Sequence, residues 1–179
     1  MNSYFLACTL YPETLKSAQE EVDRVTGEGR LPTFADRESL PYISALVKEL
    51  LRWNSAAPLG KEASHQILVD DEYEGYHIPA GTILHPNIWA MTRKEDWYPN
   101  LSEFEPERFL GLDEKRSKEI DPANFVFVFG RRVCVGQFFA EQLIWLTVAN
   151  LVATFDIKKA QDEFGKEITP VPNYPHFVG

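Results

Sequence analysis

The stretch FVFGRRVCVG, Phe127–Gly136, holds one of the two cysteines in this 179-residue chain. Cys134 follows the paired arginines Arg131 and Arg132, and Gly136 closes the run. Beyond Gly136 the sequence is apolar almost all round, through Phe138, Phe139, Leu143, Ile144, Trp145, Leu146, Val148, Leu151 and Val152. That pattern predicts a buried helix over residues 136–155. The thiol then stands between a glycine-containing loop and a helix start, where free backbone N–H groups point towards the sulfur. The helix dipole and nearby guanidinium groups favour a thiolate. Such a group can bind a metal or attack an electrophile, and a small buried apolar cysteine would read the same way. The arginines speak against that last reading, because guanidinium groups beside an apolar helix call for anionic partners.

Upstream, residues 98–124 are rich in proline, charge and aromatics and follow no period. A loop that long in a compact domain is usually functional or wraps something. It contains Pro106-Glu107-Arg108-Phe109, whose Arg108 could simply be solvated. From residue 66 to residue 86 short strands are expected: Ile67–Val69, then Tyr76–Ile78, then Thr82–Leu84. An acidic turn at Asp70-Asp71 and a type I turn ending at Gly81 would separate them. Residues 40–54 read as a helix with Ser39 as cap, Pro41 in its first turn and Ile43, Leu46, Val47 and Leu50 as its apolar stripe. Glu49 and Arg52 are three apart on it and can pair, although Arg52 falls opposite the stripe, where solvent is expected. An earlier helix runs from Pro12 through Leu15, Ala18, Val22 and Val25 to a stop at Gly27. One short strand is expected after Asp156.

A net charge of −9 argues against nucleic-acid binding. Two cysteines make no disulfide framework, so a reducing compartment is the simpler expectation. No basic leader or bilayer-length apolar run is present, and no membrane anchor is expected in this chain. His65, His77, His85 and His176 lack zinc-type spacing, and Gly27-Glu28-Gly29 lacks a phosphate-loop pattern.

Three of these signals occur in a telling order. The cysteine stretch resembles the haem-binding loop of the cytochrome P450 family, F-x-x-G-x-R-x-C-x-G, with Phe127, Gly130, Arg132, Cys134 and Gly136 at every fixed position and Ala140 at the small position of the next helix. Glu49-Leu50-Leu51-Arg52 is similar to the family's E-x-x-R helix, and residues 106–109 resemble its P-E-R-F segment. YEGYHIPAGT and NIWAMTR extend the likeness along the whole chain, the latter in the style of fungal secondary-metabolism members.

The resemblance implies a mostly α fold with a small β component: the C-terminal, proximal-haem half of the P450 fold, as one partial domain over residues 1–179. It implies haem b (iron protoporphyrin IX), with Cys134 as the catalytic thiolate ligand of the iron. Gly130 and Gly136 would let the backbone come close, and Phe127 would pack beside the macrocycle. Backbone N–H groups would bond the sulfur and tune the iron. Arg132, and His65 with it, would meet a propionate. Glu49, Arg52 and Arg108 would form a buried charge network under the cofactor. The implied reaction is monooxygenation of a small organic substrate with electrons from an NADPH-cytochrome reductase. Eukaryotic relatives are anchored in the endoplasmic reticulum. MNSYFLACTLYPE looks like the end of the family's long central helix, so the oxygen-activating half is expected to be missing. Without it, a truncated, non-catalytic chain with weak or no haem binding is the alternative. Only the segment after Asn54 and the tail near Pro172 are expected to line a substrate pocket.

Overall fold

The computed structural model describes residues 1–58 and 64–171. Pro172, Pro175, His176 and part of the segment after Asn54 lie outside the described residues. The chain divides into two compact units, one of Met1–Leu50, Phe104–Leu110 and Gln142–Gly179, the other of Leu51–Glu103 and Gly111–Glu141. The helices α3 (Pro41–Trp53) and α7 (Gln137–Thr154) contain the points of division.

In the first unit, α1 (Asn2–Leu10) buries Tyr4, Ala7 and Cys8 and packs on α2 (Pro12–Thr26). Pro12 opens α2, where its missing N–H costs nothing, and Leu15, Ala18 and Val22 form the buried stripe. A 3-10 turn, Phe34–Ser39, follows under a capping box between Thr33 and Asp36. It takes up Ser39, so Ser39 does not cap α3. Leu40 holds the cap position instead, its carbonyl accepting from Ser44 N–H at 3.2 Å. Leu40 has no polar side chain, and a longer-range group supplies the bonds. The buried Glu21 carboxylate of α2 accepts from Tyr42 N–H at 3.0 Å and from Ile43 N–H at 3.1 Å. Orphan donors of α3 thus meet a negative charge where the helix dipole favours one.

The α7 residues of this unit bury Trp145, Val148, Ala149 and Val152, one stripe of the helix. Trp145 is fixed on three sides: its Nε1–H donates to Ser44 Oγ at 3.1 Å, the Phe34 ring stacks on it, and the Arg37 guanidinium lies 5.5 Å from its centroid. The expected all-round burial does not hold. Leu143 is 52% exposed here, and in the second unit Phe138 and Phe139 are 75% and 71% exposed. Apolar side chains at every position of a helix require neighbours on every side, and among the described residues only one stripe is fully buried. After α7, β5 (Ala160–Gln161) and β6 (Glu167–Ile168) pair antiparallel, a hairpin where a single strand was expected.

The second unit carries the other strands. β1 (His65–Gln66) pairs with β4 (Ile83–Leu84), and β2 (Asp71–Tyr73) pairs with β3 (Tyr76–Ile78), all antiparallel. The acidic Asp71 is therefore in a strand, and the turn falls at Glu74-Gly75, both at positive φ as a two-residue hairpin requires. Ile67–Val69 form no strand, although Ile67 exchanges backbone bonds with Thr82 and Gly81. The second turn is closed by Thr82 N–H donating to Pro79 C=O at 3.1 Å. Gly81 stands at its third position with φ +87°, which is type II, one residue later than expected, because glycine alone takes that φ without strain. The irregular segments hold short helices that the aperiodic sequence did not announce: α4 (Ile88–Met91), α5 (Glu114–Glu119) and α6 (Ala123–Val126). Among the described residues no helix is long and apolar enough to cross a membrane.

Candidate functional site

The loop of Cys134 hangs between α6 and α7. Val128 N–H bonds Phe125 C=O, and Gly130–Arg132 then make one 3-10 turn, which Val133 N–H closes on Gly130 C=O at 3.2 Å. Gly130 has φ +57°, where a side chain costs about 1–2 kcal/mol. Cys134 N–H reaches back to Phe127 C=O at 2.9 Å, and Gln137 N–H takes Cys134 C=O at 3.1 Å. Both backbone groups of the cysteine are satisfied within the loop, so the position of its Cα is fixed while its side chain is left outside.

Cys134 is exposed and unoxidised. That removes the reading of a buried filler. Among the described residues no hydrogen bond reaches its sulfur, and the amides of Val135 and Gly136 donate to no backbone carbonyl. The nearest crowding comes from Gly136, where a Cβ would sit 3.7 Å from Sγ. A methyl is ordinary contact there; a longer side chain would occupy the sulfur's approach. Val133, Val135 and Phe138 are all exposed beside it, and Phe127 is half-buried. Arg132 is exposed and has no anionic partner among the described residues. His65, in β1 of the same unit, is half-buried opposite Leu84 and likewise makes no side-chain hydrogen bond among them. The loop thus presents a soft ligand, an apolar surround and a guanidinium free for an anion.

The three remaining charged residues occupy the interior. In the first unit Glu49 is fully buried. It accepts from Arg108 Nε at 3.2 Å and from Glu105 N–H at 3.0 Å, which ties α3 to the 3-10 turn Pro106–Phe109. The same turn is held a second time, by Tyr42 Oη donating to Glu107 at 2.7 Å. Burial and the neighbouring Glu107 charge push the Tyr42 phenol far up from its ordinary value. In the second unit Arg52 is fully buried too, not solvated as its place on the helix implied. Its guanidinium donates to Leu101 C=O and Glu103 C=O, both at 3.0 Å, and lies 5.6 Å from the Tyr98 ring centroid. Trp53 Nε1–H to Ser102 C=O at 3.0 Å and Arg93 to Trp53 C=O at 2.7 Å complete the hold. Carbonyls, which no sequence pattern names, receive this arginine.

Two aromatic residues escaped the reading of the sequence. Tyr98 opens the loop that shows no period and Trp97 directly precedes it, and an apolar ring pair among charges, KEDWYPN, was the available signal.

A family model described as cytochrome P450 matches residues 1–173. The chain is 47% identical over 174 residues to cytochrome P450 monooxygenase 176 of Postia placenta, covering 97% of this chain and 33% of that protein. It is 45% identical over 175 residues to cytochrome P450 monooxygenase ple1 of Rhodocybe pseudopiperita, again 97% and 33%. With cytochrome P450 monooxygenase claR of Ampulloclitocybe clavipes it shares 46% over 174 residues, 97% and 32%. The chain therefore spans about a third of the length of the curated relatives it matches.

Proposed function

The chain belongs to the cytochrome P450 family, and on that premise we propose that it furnishes the thiolate side of a haem-thiolate monooxygenase acting on a small organic substrate. The observation that carries this reading is the exposed Cys134 thiol, fixed by its own backbone bonds and overlooked by a glycine at 136. A metal thiolate needs an open approach and apolar surroundings, and the residues on this loop suit an iron porphyrin.

Cys134 would bind the iron through Sγ as thiolate. The amides of Val135 and Gly136, which donate to no backbone carbonyl among the described residues, are the donors that would steady that charge. Arg132 would neutralise a propionate, with His65 as a second donor to the same class of group. Phe127, Val133 and Val135 would exclude water around the sulfur. Glu49 and Arg108 hold the 3-10 turn Pro106–Phe109, and Arg52 holds residues 101–103. When bound, haem b supplies dioxygen reduction, one oxygen atom entering a C–H bond and the other leaving as water with two protons and two electrons. Those electrons would come from an NADPH-cytochrome reductase.

A second reading, weak or no haem binding by these 179 residues alone, is favoured by the exposure of Val135, Phe138 and Phe139 beside the thiol. Haem titration followed by turnover separates the two. The monooxygenase reading expects stoichiometric haem uptake and, with reductase, NADPH and labelled dioxygen, one labelled atom in an organic product. No uptake, or product formed equally by Cys134→Ser, contradicts it.

A further inference from the structure

Tyr98 is fully buried, and both ends of its side chain are engaged. The Arg52 guanidinium lies 5.6 Å from its ring centroid. Its hydroxyl donates to the carbonyl of the buried Ile120 at 2.7 Å. Two further links join the same two stretches of chain. Trp97 stacks on Phe125, with centroids 5.3 Å apart and planes at 27°, and Arg116 donates to Asp96 C=O at 3.0 Å. Ile120 and Phe125 bracket the turn at Asp121–Pro122, from which α6 leads straight to Phe127, the residue whose carbonyl holds Cys134 N–H. The path from Arg52 through Tyr98 to Ile120 is buried and directional, and from Ile120 a short run of chain leads on to the thiol loop. A phenylalanine would fill the same volume at position 98. The hydroxyl is needed only because Ile120 C=O is buried and requires a donor.

We propose that Tyr98 is a positioning residue: it takes its place from Arg52 and fixes, through Ile120, the segment that delivers the Cys134 loop. The proposal rests on the reading of Cys134 as iron ligand for its consequence, but not for its mechanics. Each can be tested without the other.

The decisive variant is Tyr98→Phe in the full chain, read in two ways. Hydrogen exchange of the amides at 123–128 is expected to speed up roughly five-fold, the effect of losing about one net hydrogen bond, with α2 unaffected. In the haem-loaded protein, the share of the reduced carbonyl complex with the red-shifted, thiolate-ligated Soret band is expected to fall relative to total haem. A role in global stability alone would lower total haem and speed exchange everywhere, leaving that share unchanged. If Tyr98→Phe does not fold, Phe125→Leu decides: it removes the stack on Trp97 and is expected to loosen 123–128 while leaving exchange in α3 unchanged. Unchanged exchange at 123–128 in the variant that folds overturns the proposal. Failure of the wild-type chain to take up haem would refute the ligand reading and leave the exchange result to judge Tyr98.

Discussion

At the scale of single residues, the two cysteines behave as opposites. Cys8 is buried in α1, and burial pushes its thiol up to about 11. Cys134 is exposed beside a glycine. Alkylation of the native chain at pH 8 should label Cys134 and leave Cys8 unmodified until denaturant is added, as peptide mass mapping would show. Equal labelling of both would contradict the structure. The sign of the Cys8 shift also sets a pH trend: its stabilising contribution is complete below its unfolded value of 9.0 and is lost as pH rises towards 11. Gly136 makes a second case. Its backbone is ordinary, so Gly136→Val should fold as the wild type does, with unchanged helical circular dichroism. Haem affinity should nonetheless fall ten-fold or more, the equivalent of roughly 1.4 kcal/mol, as γ-methyls fill the approach to Sγ. Retained affinity would show that the sulfur is approached from elsewhere.

At the scale of elements, α3 is capped at a distance. Removing Glu21 leaves the buried amides of Tyr42 and Ile43 without an acceptor. Glu21→Ala should therefore cost about 3 kcal/mol in urea unfolding, whereas Ser39→Ala should stay within about 0.5 kcal/mol. A large loss at Ser39 would restore the local cap. The 3-10 turn before α3 supplies a pH signature. The Arg30 guanidinium, at 2.7 and 2.6 Å, and the Thr33 amide hold the Asp36 carboxyl well below its ordinary value of 3.8. That contribution is present above pH 3.8 and is lost as pH falls further, so the gap between wild type and Asp36→Asn should close in acid. The sequence disclosed α2 and α3 through their periodicity and through Pro12 and Pro41, and α7 through its unbroken apolar run. It could not disclose Glu21 as a cap, because the bond joins residues 21 positions apart. Periodicity alone did not place Arg52 inside either; its burial was implied only by the family resemblance. A helical wheel records only what lies along one helix, and the carbonyls of Leu101 and Glu103 come from a stretch with no period. The hairpin at Glu74-Gly75 was hidden because strands of three residues are too short to show alternation.

At the scale of the whole molecule, the order of E-x-x-R, P-E-R-F and the cysteine loop made the family legible before any coordinates, and the comparisons establish it over residues 1–173. The extent to which the apolar helix would be covered was not legible, since hydropathy says which residues want burial and not whether neighbours are present. Val135, Phe138, Phe139 and Leu143 remain exposed on or beside α7. A chain with this surface should bind an apolar dye strongly, and haem should displace part of that dye if it seats against Val135 and Phe138. The central claim is that Cys134 ligates haem iron as a thiolate. It is tested most directly by the carbon monoxide difference spectrum of the dithionite-reduced, haem-loaded chain, measured for wild type and Cys134→Ser side by side. A red-shifted Soret band in the wild type that disappears in Cys134→Ser is the predicted result. Identical spectra from the two proteins would contradict it.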